Sequence, residues 1–174
     1  MLVSRIALLA TAVCAAVVRR DVATVKADLQ QIQTDNVALR AAINNYSGGG
    51  VIGALPVLKA SKQLDADIKQ TNTDAQATGP VSESDAQDIL DYINNTIEPG
   101  ISGTITDLIA KHDLAASNGL TTTVHDQLVT LKTDTDALGA TLRANAPDSK
   151  KAAADAAQAN IDADFQRGID AFSS

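Results

Sequence analysis

Apolar side chains recur at alternating intervals of three and four residues along almost the whole chain, and this spacing limits the fold more than any other feature. On an α-helix it aligns the apolar groups in one stripe that is buried against other helices. Phe, Trp and Tyr make up only 2% of the residues, which disfavours strands and suits closely packed helices. The first predicted stripe begins after residue 21, has one polar interruption at Asn36, and contains Val22, Val25, Leu29, Ile32, Leu39, Ile43 and Tyr46.

Four further helices are predicted from the same spacing. The second covers about 51–74, the third begins near 82 and closes before 117, the fourth extends from about 120 to 142, and the fifth starts near 149. Short linkers that contain glycine, proline or asparagine separate them. The predicted fold class is therefore all-α, an antiparallel bundle of about five amphipathic helices.

The third predicted helix carries two local signals. At its start, either Ser82 with Asp85 or Ser84 with Gln87 is suited to cap the first backbone N–H groups. Within the helix, Pro99 lacks an N–H group and its ring clashes with the preceding turn. A kink or break is therefore expected near Pro99.

Residues 1–20 have the organisation of a secretory signal peptide. Arg5 supplies an early positive charge, an apolar run of 13 residues covers 6–18, and small residues suited to signal peptidase lie near the end of the run. The run is shorter than the roughly 18 residues of a membrane span, so a permanent anchor helix is the less favoured alternative. Export from the cell is therefore predicted.

Arg19 and Arg20 form a dibasic pair directly after the apolar run. Such a pair commonly serves a processing protease of the eukaryotic secretory route; the alternative is that it only ends the run. We therefore predict that the mature chain starts at Asp21 and that residues 21–174 form a single domain. Cys14, the only cysteine, leaves with the signal, so the mature domain must be stable without a disulfide.

The charge of the mature chain disfavours two classes of partner. Removal of residues 1–20 takes away three of the 14 Lys and Arg and leaves 11 against 21 Asp and Glu, a net charge of −10. Such a surface repels phosphate backbones and anionic lipid headgroups. Nucleic-acid binding and polybasic docking on membranes are therefore not expected, whereas solubility outside the cell is favoured.

Two sequons fit an exported protein. Asn45 opens the first, beside a glycine-rich connector, and Asn94 opens the second, within a helical stretch. Each asparagine is a candidate N-glycosylation acceptor if it is exposed during export. Because three-residue matches often arise by chance, the sequon at the helix end, Asn45, is the favoured one.

The stretch SGGGVIG at 47–53 matches the dinucleotide-binding pattern G-x-G-x-x-G through Gly48, Gly50 and Gly53. That pattern needs a strand before the glycines and a helix after them, so that a pyrophosphate sits at the turn. Here the preceding segment has helical spacing, and no parallel strand is predicted. The glycines are instead interpreted as a helix stop and a flexible connector.

The sequence offers no candidate catalytic or metal site and implies no cofactor. His112 and His125 lack the partners of a zinc site or a catalytic triad and are interpreted as solvated. The acidic runs KTDTDA at 132–137 and DADI at 65–68 lack the spacing and the glycine of a calcium loop. They are interpreted as solvent-facing helix surface.

A series of short motifs occurs in a fixed order: PVSESDA at 80–86, IEP at 97–99, LIAKH at 108–112, GL at 119–120, LKTDTDAL at 131–138, ANAP at 144–147, and IDADF and IDAF within 161–172. In this order they resemble the fungal hydrophobic surface-binding protein A family, which includes cell-wall galactomannoproteins. The resemblance implies a small secreted helical protein that adsorbs to hydrophobic surfaces, has no catalytic residues, and is expected in some cases to recruit a secreted esterase or cutinase. It also implies kinship with wall mannoproteins that bind fatty acids between helices.

The sequence leaves three functions open. The protein coats a hydrophobic solid through exposed apolar helix faces, it encloses one fatty acid within the bundle, or it is a passive glycosylated wall component. Pockets between bundle helices are common ligand sites, although an ordinary core without a ligand gives the same spacing. The inward spacing nominates eight residues for the wall of such a cavity: Leu29, Ile32, Ile93, Ile97, Leu108, Leu128, Leu131 and Phe165.

Overall fold

Helices account for nearly all of the chain. The computed structural model describes the backbone of residues 2–173 and the side chains of residues 22–173. Within that range there is no strand, and the helices are α1 (Leu2–Asn45), α2 (Gly50–Gly53), α3 (Leu55–Thr78), α4 (Glu83–Tyr92), α5 (Glu98–Ile109), α6 (His112–Ser117), α7 (Thr121–Asn145) and α8 (Asp148–Ala171), with a π-helical turn at Ile93–Ile97 between α4 and α5.

The predicted signal peptide lies outside the residues whose side chains are described. Its features, including Cys14 and the pair Arg19 and Arg20, therefore stay predictions. In the described part of the chain, no helix combines the length and the hydropathy that a membrane crossing requires.

Five long rods form an up-and-down bundle: α1, α3, the continuous unit α4–π–α5, α7 and α8. At one end, the loop end, the C-terminus of α1 meets the end of α5, where Arg40 contacts Asp107 at 2.6 Å. At the other, the far end, Lys26 of α1 pairs with Asp85 and Asp88 near the start of α4. The first and third rods therefore run in the same direction, and α3 returns between them, so successive rods are antiparallel. This arrangement confirms the predicted bundle.

The first apolar stripe is buried as predicted, because each of its seven apolar residues is no more than 8% exposed. Full burial of one Leu, Ile or Val side chain contributes about 1.5–3 kcal/mol. The polar interruption, Asn36, is buried as well. The core is thus aliphatic, and α1 contacts both α3 and α5.

The start of α4 follows the first of the two predicted caps. The Ser82 hydroxyl accepts a hydrogen bond from the backbone N–H of Asp85 at 3.1 Å and lies 2.7 Å from the Asp85 carboxylate. Asp85 also places negative charge at the N-terminal end of the helix, where the helix dipole favours it.

The irregularity expected near Pro99 is a π-helical turn directly before it. The backbone N–H of Glu98 donates to the carbonyl of Ile93, five residues earlier, and Pro99 then lies in the first turn of α5. Because proline has no N–H group, the first helical turn is the position where it disturbs the ladder least. The rod therefore continues through this region.

The acidic runs do not simply face solvent, contrary to the sequence interpretation. Asp67 of α3 pairs with Asp35 of α1, and Asp134 of α7 lies against Asp65 and Lys69 of α3. These carboxyl groups are partly or fully buried because the helix seams close over them. Burial raises the pKa of Asp134, and the neighbouring Asp65 raises it further.

Candidate ligand cavity

An apolar cavity of about 160 Å³ extends along the axis of the bundle and receives side chains from all five rods. All eight residues nominated from the sequence lie in its wall: Leu29 and Ile32 on α1, Ile93 and Ile97 in the π-helical turn, Leu108 on α5, Leu128 and Leu131 on α7, and Phe165 on α8. Their contact with a ligand stays a prediction.

Small residues widen the space between the large aliphatic groups. Ala75 of α3 and Ala157 of α8 are buried and line the cavity, and Gly139 of α7 lines it as well. Such residues leave room where leucine or phenylalanine would fill the core. The inward spacing in the sequence could locate these positions, but it could not show that the space between them is incompletely filled.

A polar cluster interrupts the apolar wall near its middle. The Thr104 hydroxyl lies 2.9 Å from the side-chain oxygen of Asn36, and both residues are 4% exposed. The side-chain amide of Gln33 lies beside Asn36 above Gly100, and its Oε1 atom is buried without a hydrogen-bond partner. Of this cluster, the sequence singled out only Asn36, as a break in the apolar stripe.

A second polar pair lines the cavity nearer the loop end. The hydroxyl of Ser61, which is buried, donates to the side-chain oxygen of Gln127 at 3.2 Å. Gln127 is half-buried, and Thr123, one turn earlier on α7, is exposed. These groups can hydrogen-bond a carboxylate without removing it fully from water, which makes them the less costly of the two polar positions for a charged headgroup.

The two ends of the cavity differ in how they are closed. At the far end, the carbonyl of Asn145 accepts from the N–H of Val81 at 2.9 Å, and its side chain donates to the carbonyl of Ala75 at 2.6 Å. At the loop end, the wall contains the half-buried apolar residues Leu58 and Val124. Apolar side chains thus border the cavity at the loop end, whereas hydrogen bonds of Asn145 close it at the far end.

The cavity is smaller than a long acyl chain. An engineered protein cavity of about 150 Å³ takes benzene, and palmitate has more than twice the carbon atoms of benzene. A long-chain ligand therefore requires the helices to separate or the aliphatic side chains to change rotamer. The π-helical turn, which contributes Ile93 and Ile97 to the wall, is a departure from regular helix of the kind often found at functional sites.

The two histidines and the two sequon asparagines lie outside the cavity. His112 and His125 each retain 32% side-chain exposure and are therefore not fully solvated. His112 packs edge-on against Phe172, with ring centroids 5.2 Å apart. No group of three metal-ligating side chains occurs among the described residues. Asn45 and Asn94 are both exposed, although their modification stays a prediction.

Two curated relatives are cell wall mannoproteins. Cell wall mannoprotein 1 of Aspergillus fumigatus is 30% identical over 145 residues, which are 83% of this chain and 49% of the relative. Cell wall mannoprotein 1 of Aspergillus flavus is 31% identical over 136 residues, which are 78% of this chain and 48% of the relative. The chain thus spans about half the length of these relatives.

Solved structures share the same bundle. Afmp4p in complex with palmitic acid superposes with a TM-score of 0.83 at 30% identity and covers 87% of this chain and 99% of its own. Ligand binding domain 1 of the Penicillium marneffei MP1 protein, complexed with arachidonic acids, has a TM-score of 0.83 at 19% identity and covers 88% of this chain and 99% of its own. At this identity the similarity shows a shared fold. Residues 22–144 match hydrophobic surface binding protein A, and the chain therefore belongs to that family.

Proposed function

We propose that this protein binds one long-chain fatty acid between its helices. The observation that carries the proposal is the aliphatic cavity, which extends along the bundle and is lined by all five rods. The 30% identical Afmp4p, which covers most of this chain, is a complex with palmitic acid and supports the same ligand class here. The protein acts as a carrier or a sink and not as an enzyme.

In this proposal, the ligand carboxylate lies at Ser61 and Gln127. These two side chains supply hydroxyl and amide donors near the loop end, where water remains accessible. The acyl chain then extends toward the far end past Leu128, Leu131 and Ile93. The buried cluster at Asn36 is a poor place for the charge, because an ionised carboxylate without a cationic partner is costly to bury.

Export completes the proposal. The predicted signal peptide and the similarity to cell wall mannoproteins both support a protein that acts outside the cell or in its wall. Recruitment of a secreted esterase or cutinase, and sugar at Asn45 or Asn94, stay predictions from the sequence.

Adsorption to hydrophobic solids is the second candidate function. It is supported by the description of the family and by exposed large apolar side chains at Val37, Val51, Ile52, Leu55 and Val129. Adsorption to polystyrene or wax beads requires no fatty acid. A saturable complex of one fatty acid per protein therefore separates the two functions.

The cavity is tested by filling it from within. Ala157 is buried in the wall on α8, and Ala157→Leu adds three carbons to the space that the acyl chain needs. At about 0.8 kcal/mol for each methylene that the ligand can no longer bury, a loss of two methylenes lowers the affinity for palmitate about tenfold. Isothermal titration calorimetry with palmitate measures this change.

The matched control is Ala156→Leu, which adds the same three carbons at the neighbouring exposed position of α8. It should leave the affinity unchanged. Equal affinities of all three proteins would show that palmitate does not occupy the space beside Ala157 and would contradict the proposed site.

A further inference from the structure

Three exposed apolar side chains lie close together in sequence at the loop end. Val51 is 59% exposed, Ile52 is 80% exposed and Leu55 is 54% exposed, and together they form the apolar tip. They follow the glycine-rich connector on α2 and the start of α3. Among the residues whose side chains are described, only five large apolar side chains are exposed, and three of them form the tip.

The connector holds the apolar tip in place. The side-chain oxygen of Asn118, after α6, accepts hydrogen bonds from the backbone N–H groups of Gly49 at 3.2 Å and Gly50 at 2.8 Å. The Asn118 amide in turn donates to the carbonyl of Leu114 at 2.7 Å. Gly53 packs so closely on the Gly48 carbonyl that a Cβ atom has no room. The tip is therefore exposed on a loop that hydrogen bonds hold in place. The sequence pattern, in contrast, predicts a flexible connector there.

The stretch of chain that carries the apolar tip is basic although the protein is acidic. No Asp or Glu occurs between Asp35 and Asp65, whereas that stretch contains Arg40, Lys59 and Lys62 and the whole chain has a net charge of −7. Arg40 is paired with Asp107, but Lys59 and Lys62 are exposed in the first turns of α3.

The apolar tip also adjoins one end of the cavity. Leu58 lines the cavity, and it also borders a shallow surface depression together with Leu55, Lys59 and Lys62. One half-buried leucine thus lies between the interior and the exposed basic surface. The far end of the cavity, in contrast, is closed by hydrogen bonds of Asn145.

We propose that the apolar tip docks on a lipid surface that carries free fatty-acid carboxylates. Val51, Ile52 and Leu55 insert among the acyl chains, and Lys59 and Lys62 face the carboxylates. Passage of a fatty acid between this surface and the cavity past Leu58 rests on the proposed function, whereas the docking itself does not. The net negative charge of the whole chain disfavours an anionic surface, so attraction at Lys59 and Lys62 favours contact through the apolar tip.

The proposal is tested by co-sedimentation with phosphatidylcholine vesicles that contain oleic acid at a pH where it is ionised. The double variant Val51→Ser with Ile52→Ser should lower the partition coefficient at least about tenfold, because the two most exposed apolar side chains of the tip are lost. The control, Val37→Ser with Val129→Ser, removes exposed valines elsewhere and should bind as the wild type does. Circular dichroism checks that every variant is folded.

Charge is tested separately. Lys59→Glu with Lys62→Glu should weaken binding to the oleate-containing vesicles, whereas binding to pure phosphatidylcholine should change little. Equal partition of the wild type and the Val51→Ser, Ile52→Ser variant would overturn the docking proposal. An equal loss in the valine control would overturn it as well, and so would size-exclusion evidence that the tip instead joins two copies of the chain.

Calorimetry with monomeric palmitate distinguishes failure of docking from failure of the cavity. A protein that binds palmitate one-to-one but ignores the vesicles contradicts docking and leaves the proposed function intact. A protein that binds the vesicles through the tip but does not bind monomeric palmitate supports docking and contradicts the cavity.

Discussion

The seam between α1 and α3 predicts a specific dependence of stability on pH. Asp35 of α1 is 8% exposed, and burial is the main reason that its pKa is raised from 3.8 to about 6, with the hydrogen bond to Asp67 as the next cause. The same hydrogen bond is the main reason that the pKa of Asp67 on α3 is lowered. The Oδ2 atom of Asp35 is buried without a hydrogen-bond donor, and its Oδ1 atom accepts from the side-chain amide of Gln31 at 3.1 Å. At acidic pH a proton on Asp35 therefore joins the two carboxyl groups.

The sign follows from proton binding in the two states. The folded protein binds the Asp35 proton more tightly than the unfolded chain does, so its stabilising effect is complete below about pH 4 and is lost as the pH rises through about 6. For Asp35 alone, a pKa of about 6 instead of 3.8 corresponds to about 3 kcal/mol. The lowered pKa of Asp67 affects stability mainly below pH 4, outside this window, and we expect the pair to contribute a loss of about 1–3 kcal/mol between pH 4 and pH 8.

Asp35→Asn isolates this effect, because its amide donates a hydrogen bond to Asp67 at every pH. Urea unfolding should show the variant to be more stable than the wild type by about 1–3 kcal/mol at pH 8 and nearly equal to it at pH 4. Asp28 and Asp74 form a second carboxyl pair on α1 and α3, but both proteins retain it, so its contribution cancels.

The control for the pH effect is Asp91→Asn, because Asp91 is exposed and its carboxylate accepts a hydrogen bond from the side-chain amide of Gln87, which does not titrate. It should leave the difference in stability between pH 4 and pH 8 as it is in the wild type. If Asp35→Asn instead shifted stability equally at both pH values, the shared proton would not exist and the assignment of the α1–α3 seam would be wrong.

Two further predictions concern the start of α4 and the processing of the chain. Ser82→Ala removes the cap of α4 and should lower the free energy of unfolding by about 1 kcal/mol in urea titrations. The control Ser84→Ala, at an exposed position of the same turn, should change that free energy by less than about 0.5 kcal/mol. Equal effects of the two substitutions would contradict the cap. Mass spectrometry of the protein secreted from a eukaryotic host should show a chain that begins at Asp21. Enzymatic removal of N-glycans from Asn45 should lower its mass. A chain that keeps residues 1–20 and carries no glycan would contradict both assignments.

Spacing was sufficient to predict the bundle because each rod must bury its own stripe. Val25, Leu29 and Ile32 face inward whatever their neighbours are, so helical periodicity alone locates them. The cap at Ser82 was predictable for the same reason, since it depends on residues within one turn. Local rules thus account for the helices and for much of the cavity wall.

Contacts between rods could not be predicted in this way. The pairing of Asp35 with Asp67, and the meeting of Ser61 with Gln127, depend on which helices are neighbours and on their relative register. The spacing of residues within one helix indicates neither which helices are neighbours nor their relative register. The volume of the cavity is a further example, because it is the small difference between the space enclosed by the rods and the side chains that fill it.

The central claim is that one long-chain fatty acid occupies the bundle, and native mass spectrometry of the delipidated secreted protein tests it most directly. On titration with palmitate, we expect an adduct of one fatty acid per protein that saturates and that is weakened by Ala157→Leu but not by Ala156→Leu. Absence of a saturating one-to-one adduct, together with depletion of the protein from solution by polystyrene beads, would contradict the claim and favour a protein that only coats hydrophobic surfaces.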